Sequence, residues 1–255
     1  MNSDAHINNL IDNLREEYSP EAVAALQSFG TRAIQPLLNA LWQPDVDPYG
    51  HDTFAEILVH ILRCSRPQQA IHILVSLLEH ENADVRRRAV QAMGDTRDYR
   101  AQHLLRIALY DRNDLVQQAA AQALVRLQYG TDRLHACTAA LYDREPRVRY
   151  YAVRQLEEIH ANNALIEATY NEDPAVRQIA VWSLGKAKVH RAMPALIDAL
   201  QDHELEVRAG AAWALGRLAD AEAIPALLPL LNDPEPTVVQ LTSAALLKLG
   251  YAPTA

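Results

Sequence analysis

The chain has 255 residues, a net charge of −8, 49% hydrophobic residues and only 8 glycines, so it can bury a continuous core. It shows no sustained alternation of apolar and polar residues, which argues against a sheet-based fold, and no apolar run reaches membrane-spanning length. Because the N-terminus lacks the basic and then apolar layout of a signal peptide, we expect a soluble, cytoplasmic protein.

The first two predicted helices belong to a divergent N-terminal repeat. One runs from about Asp4 to Glu17, and its asparagines and aspartates suit the solvent side of a capping repeat. Ser19 and Pro20 start the second, because serine is a good N-cap and proline is tolerated at the first helical position. Gly30 is expected to end it.

A long turn interrupts the next helix pair. Its first helix is predicted from Ala33 to Leu41 and its partner from about Asp52 to Arg63. The turn between them, Gln43 to Gly50, contains two prolines and is the one irregular loop of the chain. We expect it to lie at the surface, either as a tolerated insertion or as a contact for a partner.

A regular repeat begins at Pro67 and runs to Leu249. Each unit has an anchoring valine, with gaps of 31, 32, 28, 31 and 31 residues between Val85, Val116, Val148, Val176, Val207 and Val238. A small residue follows four positions after each anchor and a large apolar residue eight positions after it, which predicts a helix with one buried stripe. A second apolar run precedes most anchors, so each unit is expected to be helix, turn, helix.

One unit is shorter than the others. The gap from Val148 to Val176 is 28 residues, close to one helical turn less than the usual spacing, and the first helix at 161–170 lacks the usual proline. The stack is expected to bend or narrow there. We predict about eight helix pairs in one all-α domain over residues 1–255, divergent at 1–66 and regular at 67–250.

Motifs in these units resemble those of HEAT repeats. They are D-P-x-V-R at 173–177, A-x-x-x-L-G at 180–185 and A-I-P-A-L-L at 223–228, and with their short period they are similar to the HEAT-like repeats of the phycobilisome-lyase family. The resemblance implies a right-handed α-α superhelix of the armadillo type, whose second helices line a concave binding face. Some members attach or detach open-chain bilins on phycobiliproteins, and others are adaptors or assembly factors. The motifs specify helix packing and leave the function open.

Candidate binding residues are those that face away from the core of each second helix. Positions two, six and ten after the anchor lie on that face at 100° per residue. Position six is polar in most units but is Trp182 and Trp213 in two neighbours, and Tyr150, Arg154 and Gln178 lie nearby in this pattern. These side chains would form an aromatic and cationic patch that anchors a partner. The alternative is that both tryptophans pack between neighbouring helices.

Arginine is concentrated in residues 84–154, where 13 Arg against 8 Asp or Glu give a net charge of +5. Such a band suits an acidic partner surface or a carboxylate-bearing ligand. The arginine that directly follows an anchor is expected to pair with acids in neighbouring turns, at Arg86, Arg149, Arg177 and Arg208. Arg87, Arg88 and Arg154 are candidates for binding.

Signatures of catalysis and metal binding are thin. There is no glycine-rich phosphate loop, no nucleophile elbow and no His-Glu-x-x-His, and the ten histidines form no ligand pair with an acidic third member. A broad basic face is missing, which disfavours binding to nucleic acid. Cys64 and Cys137 are expected to be ordinary buried thiols.

Three hypotheses of function remain. The first is a protein-binding scaffold or assembly factor without chemistry of its own, whose partner is a phycobiliprotein subunit or a second HEAT-repeat subunit. The second, implied by the resemblance alone, is a bilin lyase or bilin-handling chaperone. Tyr150, Trp182 and Trp213 would then stack on the rings of a linear tetrapyrrole, and arginines 87, 88 and 154 would meet its propionates. The third is an enzyme acting on nucleic acid. No resident cofactor, metal or membrane contact is expected.

Overall fold

The computed structural model describes residues 3–43, 48–63, 67–96 and 99–251. All regular secondary structure in these ranges is helical, which confirms the all-α class. The chain forms two compact units, Met1–Gln128 and Tyr129–Ala255. In both units, the first helix of a repeat alternates with the second helix. In the numbering used below, first helices have odd numbers and second helices have even numbers. The single domain expected over the whole chain stays a prediction.

The first unit contains four helix pairs within its described residues. The helices are α1 (Ser3–Glu16), α2 (Pro20–Phe29), α3 (Ile34–Leu41), α4 (Pro48–Arg63), α5 (Pro67–Leu77), α6 (Ala83–Asp95), α7 (Tyr99–Ala108) and α8 (Asp114–Tyr129). A short 3₁₀ helix, Gly30–Ala33, leads into α3. The last residue of α8 lies at the border with the second unit.

The second unit holds the other four pairs in the part of the chain that the structure describes. The helices are α9 (Arg133–Ala140), α10 (Pro146–Glu158), α11 (Asn162–Ala168), α12 (Pro174–Lys186), α13 (Met193–Ala199), α14 (Leu205–Leu218), α15 (Ile224–Leu227) and α16 (Pro236–Lys248). Short 3₁₀ helices precede α13 and α15, and another follows α15. The predicted number of about eight pairs is therefore confirmed.

The ends of α2 follow from its sequence. Ser19 Oγ accepts a hydrogen bond from the backbone N–H of Ala22 at 3.2 Å, and Pro20 occupies the first helical turn. Gly30 ends the helix at φ +58°, a conformation that glycine adopts without steric cost. Both predicted ends of this helix are confirmed.

The helix after the long turn begins earlier than expected. We predicted a start at about Asp52, but α4 begins at Pro48, so part of the expected turn is helical. Proline is well suited to a first helical turn, because the N–H that it lacks has no partner there. Residues 44–47 lie outside the described residues, and so the predicted exposure and role of the turn do not come under test.

The predicted stripe is the core of the stack. All six anchor valines, the small residues four positions later and the large residues eight positions later are at most 2% exposed. Ala180 and Ala211, which we placed at a close approach of helices, are fully buried. The register of the repeat is therefore confirmed.

Glycine brings several second helices close together. A Cβ atom built nine positions after the anchor at Gly94, Gly185 or Gly216 would lie only 2.5 to 2.7 Å from the Cβ of an alanine in the next second helix. The facing alanines are Ala123, Ala214 and Ala245. Real Cβ atoms do not approach so closely, and so the glycine of the A-x-x-x-L-G motif is required by packing.

None of the described helices is long and apolar enough to cross a bilayer.

Candidate functional site

The arginine that follows the anchor links one repeat to the next. In three repeats its Nε and Nη2 donate to an aspartate 25 residues later at 2.7 to 3.1 Å, and its Nη1 donates to two backbone carbonyls of its own turn. The pairs are Arg86 with Asp111, Arg177 with Asp202 and Arg208 with Asp233. Bidentate pairs of this kind are strong and directional. The structural role predicted for these arginines is confirmed.

These pairs shift the pKa of their aspartates. Burial alone would raise the pKa of Asp202, but the hydrogen bonds and charge of Arg177, together with the backbone N–H of Glu204, outweigh it, and the pKa lies below its usual value. For Asp233 the hydrogen bonds from Arg208 are the main cause of a lowered pKa. Both carboxylates are therefore charged at neutral pH and belong to the repeat-to-repeat contact.

In the short repeat this contact is rearranged. Arg149 pairs with Asp173, the N-cap of α12, at 2.6 Å. Asn171 stands where other repeats have aspartate, and its Nδ2 donates to the carbonyl oxygen of Leu141 at 3.0 Å. The expected pairing of Arg149 with an acid in a neighbouring turn is confirmed.

In the first unit, His80 stands at the position that Asn171 holds in the second, five residues before an anchor, and it also bonds a backbone carbonyl. Its Nε2 lies 2.8 Å from the carbonyl oxygen of Leu41, and its Nδ1 accepts from the backbone N–H of Asn82. The ring is buried and packs against Trp42 and His51. With both nitrogens used in this way, the imidazole is neutral.

Two candidate arginines, Arg87 and Arg88, lie on α6 in the first unit. Arg88 pairs with Asp52 and, at 3.4 Å, with Glu56, both on α4. The hydrogen bond from Arg88 lowers the pKa of Asp52. Arg87 binds Asp84 of its own helix at 2.9 Å. Both arginines thus have carboxylate partners within their unit, and for Arg88 this is a structural contact that the sequence did not indicate.

Trp182 and Trp213 meet in the second unit. Their ring centroids are 4.3 Å apart with 35° between the planes, and both side chains are partly buried. A Cβ atom on Gly210 would lie 2.7 Å from Nε1 of Trp182, and one on Gly185 would lie 2.9 Å from Cζ3 of Trp213. Each indole therefore lies against a glycine of the neighbouring second helix. The rings pack on each other and on the helices, as in the packing alternative, while part of each remains exposed. The binding role of the pair stays a prediction.

Tyr150 and Arg154 lie on α10, which is the second helix of the repeat that precedes the repeat of Trp182. Tyr150 is 55% exposed, and Arg154 binds Glu157 at 2.6 Å. Glu157 also accepts from Lys186 of α12 at 2.9 Å, so it links α10 to the helix of Trp182. Burial opposes its charge, but hydrogen bonds from Lys186 and Ser183 and the charge of Arg154 lower its pKa.

Gln178 lies on α12, one turn before Trp182, and is partly buried. The structure thus places five of the seven candidates on α10, α12 and α14 of the second unit, with direct ring contact between the two tryptophans. The other two, Arg87 and Arg88, belong to the first unit.

A cationic side chain that we did not single out accompanies the tryptophans. The guanidinium carbon of Arg217 lies 5.7 Å from the ring centroid of Trp213, a distance at which a cation is attracted to an indole face. Arg217 stands ten positions after its anchor, as do Lys186 in α12 and Lys248 in α16. Position ten was part of the outward face, and this row of cations was the signal available in the sequence. We call Trp182, Trp213, Lys186, Arg217 and Lys248 the tryptophan platform.

Cys137 is buried, and burial raises the pKa of its thiol. It is an unreactive core residue, as predicted. Cys64 lies outside the described residues.

Several solved structures are similar to this chain over most of its length. No curated protein matches the chain. Among solved structures, human deoxyhypusine hydroxylase has 22% identity and a TM-score of 0.42, over 98% of this chain and 97% of that one. The complex of CpcE and CpcF of phycocyanin lyase from Nostoc sp. PCC7120 has 19% identity and a TM-score of 0.35, over 83% and 92%. A designed armadillo repeat protein in complex with the peptide (KR)4 has 20% identity and a TM-score of 0.38, over 85% and 99%.

Similarity at this level carries no argument about function. The sequence model of HEAT repeats, however, matches residues 51–125 and 162–248, together more than half of the chain. The matched ranges contain five of the six anchor valines, all but Val148, together with the close-packing glycines and the pair Trp182 and Trp213. The chain therefore belongs to the HEAT-repeat family.

Proposed function

We propose that the chain is a protein-binding scaffold and that the tryptophan platform is its binding surface. The observation that supports this is the stacked, partly exposed pair of Trp182 and Trp213. The equivalent positions of the other regular repeats hold Gln91, Gln122, Arg154 and Ala244, so the core of a repeat does not require an aromatic ring there.

The geometry of the pair favours binding. Each ring packs on its neighbour and lies against a glycine of the adjacent helix, so the exposed part of the indoles is held in one orientation. A partner that covers preformed rings loses little side-chain entropy. Buried tryptophan anchors are typical of the residues that dominate binding energy, and truncating one commonly costs about 2 kcal/mol or more.

The chemistry of the platform also favours binding over bond-making. Its groups are two indoles, two ammonium groups and one guanidinium. They can stack, bury apolar area and pair with anions. The platform contains no Ser, Cys, His, Asp or Glu, the residue types that most often act as nucleophiles or general bases. A scaffold or assembly role therefore fits the site better than a lyase role.

A random library of displayed peptides tests the proposal. Wild-type protein is compared with Trp182→Ala/Trp213→Ala and with Tyr170→Ala, a control that removes an aromatic side chain, 60% exposed, from the turn after α11. We expect peptides to be enriched by the wild type and the control, and not by the double variant. Circular dichroism checks that all three proteins are folded.

Two results would contradict the proposal. If the double variant unfolds, the tryptophans are core residues and the binding site is misplaced. If it folds and selects the same peptides as the wild type, the platform does not bind them.

The bilin-handling alternative uses the same variants. Wild type and double variant are mixed with a free bilin and with phycobiliprotein subunits, and visible absorption is recorded. A spectral shift that requires both tryptophans would favour bilin handling over peptide binding. The arginines first assigned to the propionates already bind acids, Arg87 and Arg88 in the first unit and Arg154 through Glu157. A bilin would therefore have to use Arg217 and Lys248.

A further inference from the structure

We propose that the tryptophan platform takes an acidic segment of its partner, whose carboxylates pair with Arg217, beside the indole of Trp213, and with Lys248 of α16. This inference rests on the proposed function and adds the chemistry of the partner. Four basic residues stand ten positions after an anchor, and the inference comes from comparing their partners. They are Arg126, Lys186, Arg217 and Lys248.

Elsewhere in the chain the preceding second helix supplies the acid. In the first unit, Arg126 of α8 binds Asp95 of α6 at 3.0 Å. In the second unit, Lys186 of α12 binds Glu157 of α10 at 2.9 Å. Both acids stand in the last turn of their helix, nine or ten positions after the anchor. Two of the four basic residues at position ten are thus paired with an acid of the preceding second helix.

The other two, Arg217 and Lys248, have no such acid partner. Gly185 and Gly216 occupy position nine of the preceding helices, and Lys186 and Arg217 occupy position ten, so neither helix offers an acid there. Throughout 129–251, and in the described part of the first unit, no carboxylate oxygen lies within 4.0 Å of Arg217 or Lys248.

Packing accounts for the glycines at position nine, whereas position ten, where α6 places Asp95 directly after its own close-packed Gly94, holds Lys186 and Arg217 in α12 and α14. A Cβ on Gly185 would lie 2.5 Å from Cβ of Ala214, and one on Gly216 would lie 2.7 Å from Cβ of Ala245. No glutamate can replace either glycine without moving a helix. With glycine at position nine and a cation at position ten of the preceding helix, Arg217, which lies beside Trp213, and Lys248 of α16 meet no acid there and are available to an external anion.

The charge of this face fits an acidic partner. On α12, α14 and α16, positions two, six and ten hold three cations and no acid: Gln178, Trp182, Lys186, Ala209, Trp213, Arg217, Gln240, Ala244 and Lys248. The whole chain has a net charge of −8, so this row differs in sign from the average surface. Electrostatic complementarity selects an acidic segment and rejects a basic one.

The spacing sets a simple requirement on that segment. Helices that touch through glycine and alanine lie about 8 Å apart, at the close end of the usual range. An extended chain advances about 3.3 Å per residue. Carboxylates two to three residues apart can therefore reach Arg217 and Lys248 together, and an apolar side chain beside them can rest on Trp213.

Binding of short synthetic peptides tests the inference. A fluorescein-labelled peptide with alternating glutamates around a central leucine is titrated with the protein, and its anisotropy is measured. Matched peptides carry glutamine or lysine in place of glutamate. The protein variants are Arg217→Gln/Lys248→Gln and, as a control that removes the same charge, Arg144→Gln/Arg191→Gln, at two exposed arginines away from the second helices.

We expect the glutamate peptide to bind best, with an affinity that falls as salt is added. The platform variant should bind it about tenfold more weakly, since two exposed ion pairs at roughly 0.7 kcal/mol each amount to this factor. The control should bind as the wild type does.

A third variant predicts a gain of binding. Glu157→Gln releases Lys186 from its internal partner, so the affinity for the glutamate peptide should rise about twofold to fourfold, the worth of one further exposed pair. A residue that only stabilised the fold would not improve binding when it is replaced.

The outcomes separate this inference from the proposed function. If the glutamine and lysine peptides bind as well as the glutamate peptide, and Trp182→Ala/Trp213→Ala abolishes binding of all three, the acidic class is wrong and the scaffold proposal stands. If no peptide shows saturable binding below about 1 mM, the inference is overturned, and the library selection decides the scaffold proposal by itself.

Discussion

Gly216→Ala tests whether glycine is required for the close approach of α14 and α16. In a helix interior this change normally stabilises a protein by about 1 kcal/mol. Here the new Cβ would lie 2.7 Å from Cβ and 2.8 Å from Cα of Ala245, atoms that cannot rotate away. Overpacking of this kind costs roughly 1 to 3 kcal/mol. Since the contact involves backbone, we expect the upper part of that range and a net loss of about 1 to 2 kcal/mol in unfolding free energy.

A double-mutant cycle isolates the contact. Ala245→Gly removes the methyl group that the new Cβ meets, and alone it should cost about 1 kcal/mol through helix propensity. The double variant Gly216→Ala/Ala245→Gly should lose less than the sum, with a coupling of about 1 kcal/mol or more. Urea unfolding followed by circular dichroism gives the free energies, provided that the variants share one m-value.

The control for this cycle is Ala244→Gly, at an exposed position next to Ala245. It carries the same propensity cost but does not face Gly216, so its effect should add to that of Gly216→Ala. If Gly216→Ala stabilises the protein as propensity alone requires, or if both cycles show the same coupling, glycine does not set the approach of these helices.

Three further changes test other parts of the structure. Burial, above all, lowers the pKa of His80, so its contribution to stability is complete above the unfolded value of about 6.5 and is lost as pH falls through the lower folded pKa. His80→Asn, which copies Asn171, should keep the hydrogen bond to the carbonyl oxygen of Leu41 and make the melting temperature depend less on pH between about pH 7 and pH 4. An unchanged slope of melting temperature against pH would contradict this role of His80. Ala180→Leu should cost roughly 1 to 3 kcal/mol by overpacking, and an unchanged melting temperature would argue against the repeat register. Arg177→Gln should cost about 1 to 3 kcal/mol, because its aspartate loses a bidentate partner, whereas the exposed Arg191→Gln should cost less than about 0.5 kcal/mol; equal effects would contradict the role of the pair.

The repeat register was predictable because it depends on local periodicity. An anchor, a small residue four positions later and a large residue eight positions later lie on one helical stripe whatever the neighbouring repeats contain. The arginine after the anchor was predictable for a similar reason, since it recurs at the repeat period. The start of α4 was missed because Pro48 can serve either a turn or a first helical turn.

Contacts between different repeats were harder to predict. Arg88 was taken as a binding residue because its partner, Asp52, lies 36 residues away in a divergent repeat where the register is unclear. The position of Trp182 depends on Gly210, three positions after the next anchor, and no periodic pattern marks that glycine. Single positions that depend on the next helix are therefore the part of the site that the sequence did not reveal.

The proposed binding surface depends on the same glycines that bring the second helices close together. Gly185 lets α14 approach α12 and also leaves room for the indole of Trp213. Because it has no side chain, it cannot supply the acid that Glu157 supplies one repeat earlier, and Arg217 lies against the ring of Trp213 without a carboxylate partner among the described residues. A repeat that needed only close packing could place alanine, glutamine or glutamate at the outward positions, as other repeats of this chain do. The proposed binding surface therefore differs from the other outward faces of this chain in combining two tryptophans with cations that have no acid at position nine or ten of the preceding helix.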